Sequence, residues 1–252
     1  MNLHGAAALV TGASSGIGAA TARKLAREGV MVGLVARRWD RLAALAEEVA
    51  AAGGTALVVQ ADITDPDRAA GAVEEVADSF GRLDILVNSA GVMLLDSALH
   101  TPLDEWDRMV DLNVRAMLHV THAAVPHLIG SASTSPRGVA DIVNISSTAG
   151  RVARPTSTVY NLTKFGMNGF SEALRQELLP ERVRVCLVEP GVVSTELLDH
   201  VGDSLRDAAR RQVDGVEPLR PEDVADAVAY VVRQERRVAI NEILLRAADQ
   251  TW

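Results

Sequence analysis

Cysteine and long apolar runs are scarce in this sequence. Cys186 is the single thiol, so neither a disulfide framework nor a thiolate metal site is available. Its setting in an apolar run predicts a buried strand residue. No apolar run approaches the roughly 18 residues of a membrane span, and the N-terminus lacks a basic region followed by an apolar stretch. We therefore expect a cytoplasmic protein that neither enters a membrane nor is secreted.

Positive charge is also in deficit. The chain has 25 Lys and Arg against 33 Asp and Glu, a formal net charge of −8, which disfavours nucleic acid or an anionic membrane as the main partner. Three histidines, His119, His122 and His127, fall on one predicted helix without a clear carboxylate partner. We predict no metal site.

Apolar β-branched runs alternate with longer amphipathic segments along the whole chain. This alternation is typical of a parallel sheet covered by helices, and 252 residues suit one α/β domain. We predict a single α/β domain over 1–252, a Rossmann fold with a doubly wound, seven-stranded parallel sheet and helices on both faces. The predicted strands are 6–10, 30–36, 55–60, 83–88, 139–145, 183–189 and 240–246.

Two helix starts and one loop stand out between these runs. Asp65-Pro66 and Thr101-Pro102 resemble N-caps followed by proline at the first helical position, and the second continues as a capping box to Asp104. Segment 193–219 follows the carboxyl end of the sixth predicted strand, where doubly wound sheets bind ligands. We predict a mobile substrate lid there, with a solvated helix as the alternative.

A glycine-rich turn follows the first predicted strand. Thr11-Gly12-Ala13-Ser14-Ser15-Gly16-Ile17-Gly18 lies between an apolar run and a helix-like segment. Glycines let a pyrophosphate approach the backbone, and the free N–H groups at a helix N-terminus attract its charge. The turn predicts a dinucleotide site.

Tyr160 and Lys164 stand four residues apart on a predicted helix, downstream of Ser146-Ser147. This spacing places a phenol and an ammonium on one helix face, where the positive charge favours the phenolate. Taken alone, such a pair is more often a half-buried aromatic beside a solvated cation. Together with the glycine-rich turn, it indicates an active site.

These motifs, in this order, resemble the classical short-chain dehydrogenase/reductase family from Leu3 to about Gln250. The resemblance also rests on Asp62, on Asn88-Ser89-Ala90-Gly91, on Asn113 and on Pro190-Gly191-Val192-Val193-Ser194-Thr195. Ser89 departs from the family, which more often has Asn there, so we expect a local change in the support of the fourth strand. Less diagnostic segments, such as Asn241-Glu242-Ile243, resemble a bacterial NADP-dependent branch that includes 3-hydroxy-acid (serine-type) dehydrogenases and clavulanate dehydrogenase.

The resemblance implies hydride transfer between nicotinamide and a secondary alcohol or carbonyl. It implies four catalytic residues: Tyr160 exchanges the proton, Lys164 lowers the pKa of that phenol and holds the ribose, and Ser147 binds the substrate oxygen. Asn113 bends its helix and holds a water that links Lys164 to solvent. Alternation along the preceding strand should turn Ser146 another way.

The second strand ends in Ala36-Arg37-Arg38, where NAD-dependent members of the family have Asp in place of Ala36. Arginine attracts the 2′-phosphate that a carboxylate would repel, so we predict NADP(H), unless both arginines merely solvate the next helix. The resemblance places Asp62 at the adenine and Thr195 at the carboxamide. The predicted cofactor contacts are Gly12, Ser14, Ser15, Gly16, Ile17, Gly18, Arg37, Arg38, Asp62, Ile63, Asn88, Ala90, Gly91, Tyr160, Lys164, Pro190, Gly191, Val193 and Thr195.

The substrate is less well defined than the cofactor. Its predicted contacts are Met93, Ser147, Arg151 and Leu197, with Leu94, Leu95 and Val152 as further apolar lining. Arg151 and Arg154 either meet a carboxylate or face water. We expect a small hydroxy acid or a clavulanate-like aldehyde or ketone. The alternatives are a bulky cyclic or polyketide-type carbonyl and, more remotely, a non-catalytic NADP-binding sensor.

Two predicted helices carry more apolar surface than one sheet contact requires. They span 106–128 and 160–179, and their surplus apolar faces need a second cover. We expect a homodimer or homotetramer, and the resemblance points to 222 symmetry. The alternative is that short loops cover these faces.

Overall fold

Seven parallel strands form one sheet in the order β3-β2-β1-β4-β5-β6-β7. The computed structural model describes residues 1–197 and 215–251. The strands are β1 Ala7–Thr11, β2 Met31–Ala36, β3 Thr55–Gln60, β4 Ile85–Asn88, β5 Ala140–Ile145, β6 Val183–Pro190 and β7 Glu242–Leu245. The predicted doubly wound α/β architecture and its seven strands are confirmed, with the predicted strand ends shifted by no more than two residues.

Helices cover both faces of the sheet. Within the described ranges they are α1 Gly16–Arg27, α2 Trp39–Ala51, α3 Pro66–Phe80, α4 Leu103–Val110, α5 Ala116–Thr134, α6 Thr158–Glu177 and α7 Pro221–Val232. Alternate residues of β1 feed two cores: Ala8 and Val10 pack with α1, α2 and α7, and Leu9 packs with α3 and α5. The central strands β1, β4, β5 and β6 are thus buried on both sides, as their nearly continuous apolar runs predict.

The chain order creates a crevice at the carboxyl ends of the central strands. From β1 the chain runs outward through β2 to β3, and then it returns to β4 on the other side of β1. The loops after β1 and β4 therefore leave the sheet in opposite directions, which opens the space where doubly wound proteins bind ligands.

One of the two predicted N-caps is confirmed and the other is wrong. Asp65 Oδ1 accepts hydrogen bonds from Asp67 N at 2.9 Å and from Arg68 N at 3.1 Å, which caps α3. At α4 the residue before the helix is Pro102, which has no side-chain cap. Thr101 instead donates its hydroxyl to Ser97 O at 2.9 Å. Its side chain therefore closes the preceding turn and does not cap the helix.

The predicted lid, 193–219, lies mostly outside the described residues. Its two ends are described, and they meet: Val193 and Leu219 form an isolated parallel bridge. Ser194 N donates to Leu219 O at 2.8 Å, and Leu219 N donates to Val192 O at 3.0 Å.

Among the helices described, none combines the length and the apolar character that a membrane span requires.

Candidate active site

The glycine-rich turn packs directly against the end of β4. A Cβ on Gly12 would lie 2.8 Å from Ala90 Cα, and one on Gly18 would lie 2.4 Å from Gly12 O. Thr11 Oγ1 accepts from the backbone N–H groups of Ser89 and Ala90 at 3.0 and 3.1 Å. The Thr11 side chain therefore supports the backbone at the end of β4, where Ser89 departs from the family.

The N-terminus of α1 is open to a ligand. Its N-cap residue, Ser15, makes no side-chain capping bond, so the first N–H groups of the helix are not occupied by that hydroxyl. Gly16 has a φ of 52°, which favours glycine. Close-packed glycines before an uncapped helix start suit a pyrophosphate.

A cavity of about 450 Å³ connects this turn to the Tyr160 region. It is lined by eighteen of the nineteen predicted cofactor residues, namely all except Asn88, and by Ser147, Met93 and Leu197 among the predicted substrate residues. Leu95 and Arg154 also line it, whereas Leu94 and Val152 do not.

Asn88 lies behind the cavity, which corrects the expectation that it lines the cofactor channel. Its Nδ2 donates to Thr121 Oγ1 at 3.0 Å and to Asn144 Oδ1 at 2.8 Å. Asn144 in turn donates to Ser171 Oγ at 2.8 Å. The Asn88 side chain thus joins β4 and β5 to the helices packed on them.

Tyr160 and Lys164 are both buried, with exposed fractions of 6% and 5%. Lys164 Nζ donates to Ile145 O at 2.8 Å and lies 5.8 Å from the centre of the Tyr160 ring. Burial raises the pKa of Tyr160 and side-chain hydrogen bonding with Ser147 lowers it, and Ser147 Oγ accepts from Ala149 N at 3.1 Å. The three side chains meet in the same cavity as the glycine-rich turn.

The electrostatics differ from the expectation that Lys164 lowers the pKa of Tyr160. Burial raises the pKa of Tyr160 to about 12, and the hydrogen bond from Ser147 opposes this shift in part. Burial also lowers the pKa of Lys164 to about 8. Desolvation disfavours the charged form of each group, and the ammonium is engaged by Ile145 O. In this arrangement, burial is the largest cause of both pKa shifts.

Asn113 lies in a π-helical turn, Asp111–Arg115, between α4 and α5. This turn is the local distortion predicted at Asn113. Asn113 Oδ1 accepts from Val92 N at 2.8 Å, and its Nδ2 donates to Val92 O at 2.8 Å and to Thr163 Oγ1 at 3.3 Å. Asn113 thereby ties the loop after β4 to the helix that carries Lys164. Its role in holding a water stays a prediction.

Arg151 does not line the cavity, which corrects its assignment as a substrate residue. Its Nε donates to the two carboxylate oxygens of Glu189 at 3.0 and 2.8 Å, and its Nη2 also contacts Glu242. Arg154 does line the cavity, and its backbone N donates to Asn161 Oδ1 at 3.1 Å. Of the two arginines, Arg154 is therefore the candidate for a substrate carboxylate.

The two arginines after β2 both line the cavity. The Arg38 guanidinium donates to Ser14 Oγ at 2.9 Å, to Ser15 Oγ at 2.7 Å and to Glu196 Oε2 at 2.9 Å. Arg37 is exposed, and its Nη1 lies 3.9 Å from Asp62 Oδ2. Arg38 is therefore fixed against the glycine-rich turn and does more than solvate α2.

Sequence reasoning missed three residues around this site. Asn161 Nδ2 donates to Ala149 O at 2.7 Å and clamps the loop that carries Arg154; its place beside Tyr160 was a usable signal. Arg108 lines the cavity from α4. Glu196 does so after β6, and hydrogen bonds from Arg41 and Arg38 lower its pKa to about 2. Nothing local in the sequence marks Arg108 or Glu196.

Other candidate residues take structural roles. Burial raises the pKa of Cys186 to about 12, so the predicted buried strand thiol is confirmed. His127 Nε2 lies 3.1 Å from Glu74 Oε1, a carboxylate partner that the sequence did not reveal. In the described part of the chain, no three His, Cys, Asp or Glu residues are grouped to hold a metal ion.

A family model described as short chain dehydrogenase matches residues 6–205. The glycine betaine reductase of Emericella nidulans is 40% identical over 248 residues. That match covers 98% of this chain but 19% of the relative, so this chain spans about a fifth of its length.

Solved structures show the same similarity. The 3-ketoacyl-(acyl-carrier-protein) reductase of Brucella melitensis, complexed with NADH, superposes with a TM-score of 0.87 at 31% identity, covering 99% of this chain and 100% of that one. A short chain dehydrogenase of Burkholderia cenocepacia, in complex with NADP, gives 0.85 at 34% identity over 98% of each chain. Together with the family match over most of the sequence, these similarities show that the chain belongs to the short chain dehydrogenase family of oxidoreductases.

Proposed function

We propose that this protein is an NADP(H)-dependent oxidoreductase that interconverts a secondary alcohol and a carbonyl, with Tyr160 as the general acid and base. The observation that carries the proposal is the meeting of Ser147, Tyr160 and Lys164 in the cavity that the glycine-rich turn also lines. A cofactor-binding sensor would not need a buried proton donor in contact with a second hydroxyl.

The residues that line the cavity suit a phosphorylated dinucleotide. The glycine-rich turn would hold the pyrophosphate, and Arg37 and Arg38 would hold the 2′-phosphate. The bound nucleotide would supply or accept a hydride at its nicotinamide ring. Solved relatives hold either NADP or NADH, so the preference for NADP(H) rests on Ala36-Arg37-Arg38 and on the contacts of Arg38.

Tyr160, Ser147 and Lys164 have different roles in the transfer of the proton. Tyr160 gives its phenolic proton to the substrate oxygen during reduction and takes it back during oxidation. Ser147 donates a hydrogen bond to the same oxygen, an interaction whose loss typically costs about 10² to 10³ in rate. Lys164, with a pKa of about 8, is mostly protonated at neutral pH and stabilises the phenolate that forms.

We propose a small hydroxy acid or a clavulanate-like aldehyde or ketone as the substrate. Arg154 and Arg108 both line the cavity with Met93, Leu95 and Leu197, so an apolar wall carries two cations suited to a carboxylate. The alternative is a bulky carbonyl, which is favoured by the similarity to the 3-ketoacyl-(acyl-carrier-protein) reductase.

Replacement of Tyr160 by phenylalanine tests the function. A panel of hydroxy acids and ketones, assayed through NADPH absorbance, first identifies a substrate. Tyr160→Phe should then abolish turnover while the dissociation constant of NADPH changes by less than about threefold, because the ring still packs and the proton is lost. Tyr230→Phe is the matched control, since Tyr230 lies on α7 and does not line the cavity. Tyr160→Phe with near-normal turnover would contradict the proposal.

We also propose that two or four copies associate through α5 and α6. Leu118, Leu162 and Phe165 on these helices have exposed fractions of 37%, 64% and 44%. Exposed apolar side chains on neighbouring helices are typical of an interface. In a two-fold dimer, each copy would cover these side chains with the same surface of the other copy.

A further inference from the structure

A buried carboxylate lies behind the turn that carries Ser147. Glu189, next to the end of β6, has an exposed fraction of 0% and does not line the cavity. It accepts hydrogen bonds from Arg151 at 2.5 to 3.0 Å and from Asn168 Nδ2 at 2.7 Å. A buried carboxylate is costly unless it is paired, so these partners are needed to keep it inside.

Asn168 connects this carboxylate to both sides of Ser147. It lies on α6, one helical turn after Lys164. Its Oδ1 accepts from Ser146 Oγ at 2.6 Å, and its Nδ2 donates to Gly150 O at 3.3 Å. Ser146 and Gly150, which lie on either side of Ser147 in the chain, are therefore both hydrogen bonded to the helix that carries Tyr160.

The packing of Gly150 shows how closely the turn and the helix approach. A Cβ there would lie 2.8 Å from Asn168 Nδ2 and 3.0 Å from Lys164 O. The turn therefore cannot move towards α6, and the hydrogen bonds of Asn168 restrain it from moving away. The contact therefore fixes the distance between the turn that follows Ser147 and α6, the helix that carries Tyr160.

We infer that Asn168 and Glu189 are positioning residues that hold Ser147 against Tyr160 and thereby set the rate of the chemical step. Neither side chain lines the cavity, so neither touches the cofactor or the substrate. The inference rests on the proposed function, because it assigns a role to residues behind the same site. Small displacements of a catalytic group lower rates steeply, by about 10²-fold for 1 Å.

Asp141 provides a matched control for a merely structural role. It is 1% exposed, lies at the amino end of β5, and is held by Arg137 at 2.5 Å and by Arg184 at 2.7 Å. Asp141 and Glu189 are thus both buried carboxylates that lie on central strands and pair with arginine. Asp141 differs in that it does not contact the Ser147 turn or line the cavity.

The experiment compares Asn168→Ala, Glu189→Gln and Asp141→Asn in the full chain, with rates corrected for the folded fraction. Asn168→Ala and Glu189→Gln should lower kcat at least about tenfold while the dissociation constant of NADPH changes by less than about twofold. Asp141→Asn should lose stability but keep kcat within about twofold. Asn168→Ala keeps the pair of Glu189 and Arg151, so it remains informative if Glu189→Gln does not fold.

A double-mutant cycle tests whether Asn168 acts through Ser147. On a Ser147→Ala background, Asn168→Ala should cost no further rate, because the group that it positions is already gone. If the kcat losses of Asn168→Ala and Ser147→Ala multiply in the double mutant, the positioning role is overturned. A kcat for Asn168→Ala equal to that of Asp141→Asn would also overturn it. Either result would leave the proposed function intact. A wild-type protein without turnover on any carbonyl or alcohol would overturn the proposed function itself, and this inference with it.

Discussion

Replacement of Arg38 by alanine tests the cofactor preference. Arg38 follows β2, lines the cavity and donates to both serines of the glycine-rich turn. A charge-assisted hydrogen bond contributes about 1.5 to 3 kcal/mol. The Arg38 side chain is 44% exposed and also pairs with Glu196 at 2.9 Å. Solvent screening and the lost contact with Glu196 therefore offset part of the phosphate contribution.

We expect a net loss of about 1 to 2 kcal/mol in NADPH binding, which corresponds to a dissociation constant about 5- to 30-fold weaker. NADH has no 2′-phosphate, so its dissociation constant should change by less than about twofold. The loss should shrink as salt is added, because exposed ion pairs are screened. Fluorescence titration with each reduced nucleotide measures both constants.

Arg41→Ala is the matched control. Arg41 contacts the same Glu196 carboxylate but is not among the residues that line the cavity. Its removal changes the local charge equally without removing a phosphate contact. Similar losses in Arg38→Ala and Arg41→Ala would point to a diffuse charge effect, and equal weakening of NADPH and NADH in Arg38→Ala would refute the phosphate assignment.

Alcohol oxidation should accelerate as the pH rises from about 7 to 9, because the Tyr160 phenol, whose pKa burial raises to about 12, must first lose its proton. Carbonyl reduction uses the protonated phenol, so matching pH profiles in steady-state assays would contradict the assignment. Gly18→Ala should abolish nucleotide binding, because its Cβ would lie 2.4 Å from Gly12 O. Gly71→Ala, in open space on α3, should bind normally and unfold at a higher temperature, since it gains about 0.5 to 1 kcal/mol; normal binding by Gly18→Ala would be the contrary result. Phe165→Asp should shift the mass in light scattering to that of the 26.8 kDa chain, and a wild-type protein already at that mass would contradict the oligomer.

The fold was predictable because its signals are local. Strands buried on both faces give short apolar runs, and glycines mark the turn where backbone meets backbone, as at Gly12 and Gly18. The same holds for Tyr160 and Lys164, whose helical spacing alone places them together. Each of these predictions depends on residues that are close together in the sequence.

Two of the three errors arose where distant residues decide the outcome. The sequence predicts Arg151 as a substrate residue because it does not show the partners of Arg151, Glu189 and Glu242, which are 38 and 91 positions away. The pKa of Tyr160 depends on burial, which the whole fold determines. Thr101 is different, because the carbonyl that competes for its hydroxyl belongs to Ser97, only four residues earlier. Tertiary contacts therefore decide the first two cases, and one local contact outweighs another in the third.

The bridge between Val193 and Leu219 bears on how such a protein can be altered. The residues around Val193 and Leu219 are held together by hydrogen bonds, so the two ends of segment 193–219 are fixed to each other. Each doubling of a flexible loop's length costs only about 0.6 kcal/mol. Exchange of the segment between these two ends for one of another length or sequence should therefore leave β6 and α7 in place.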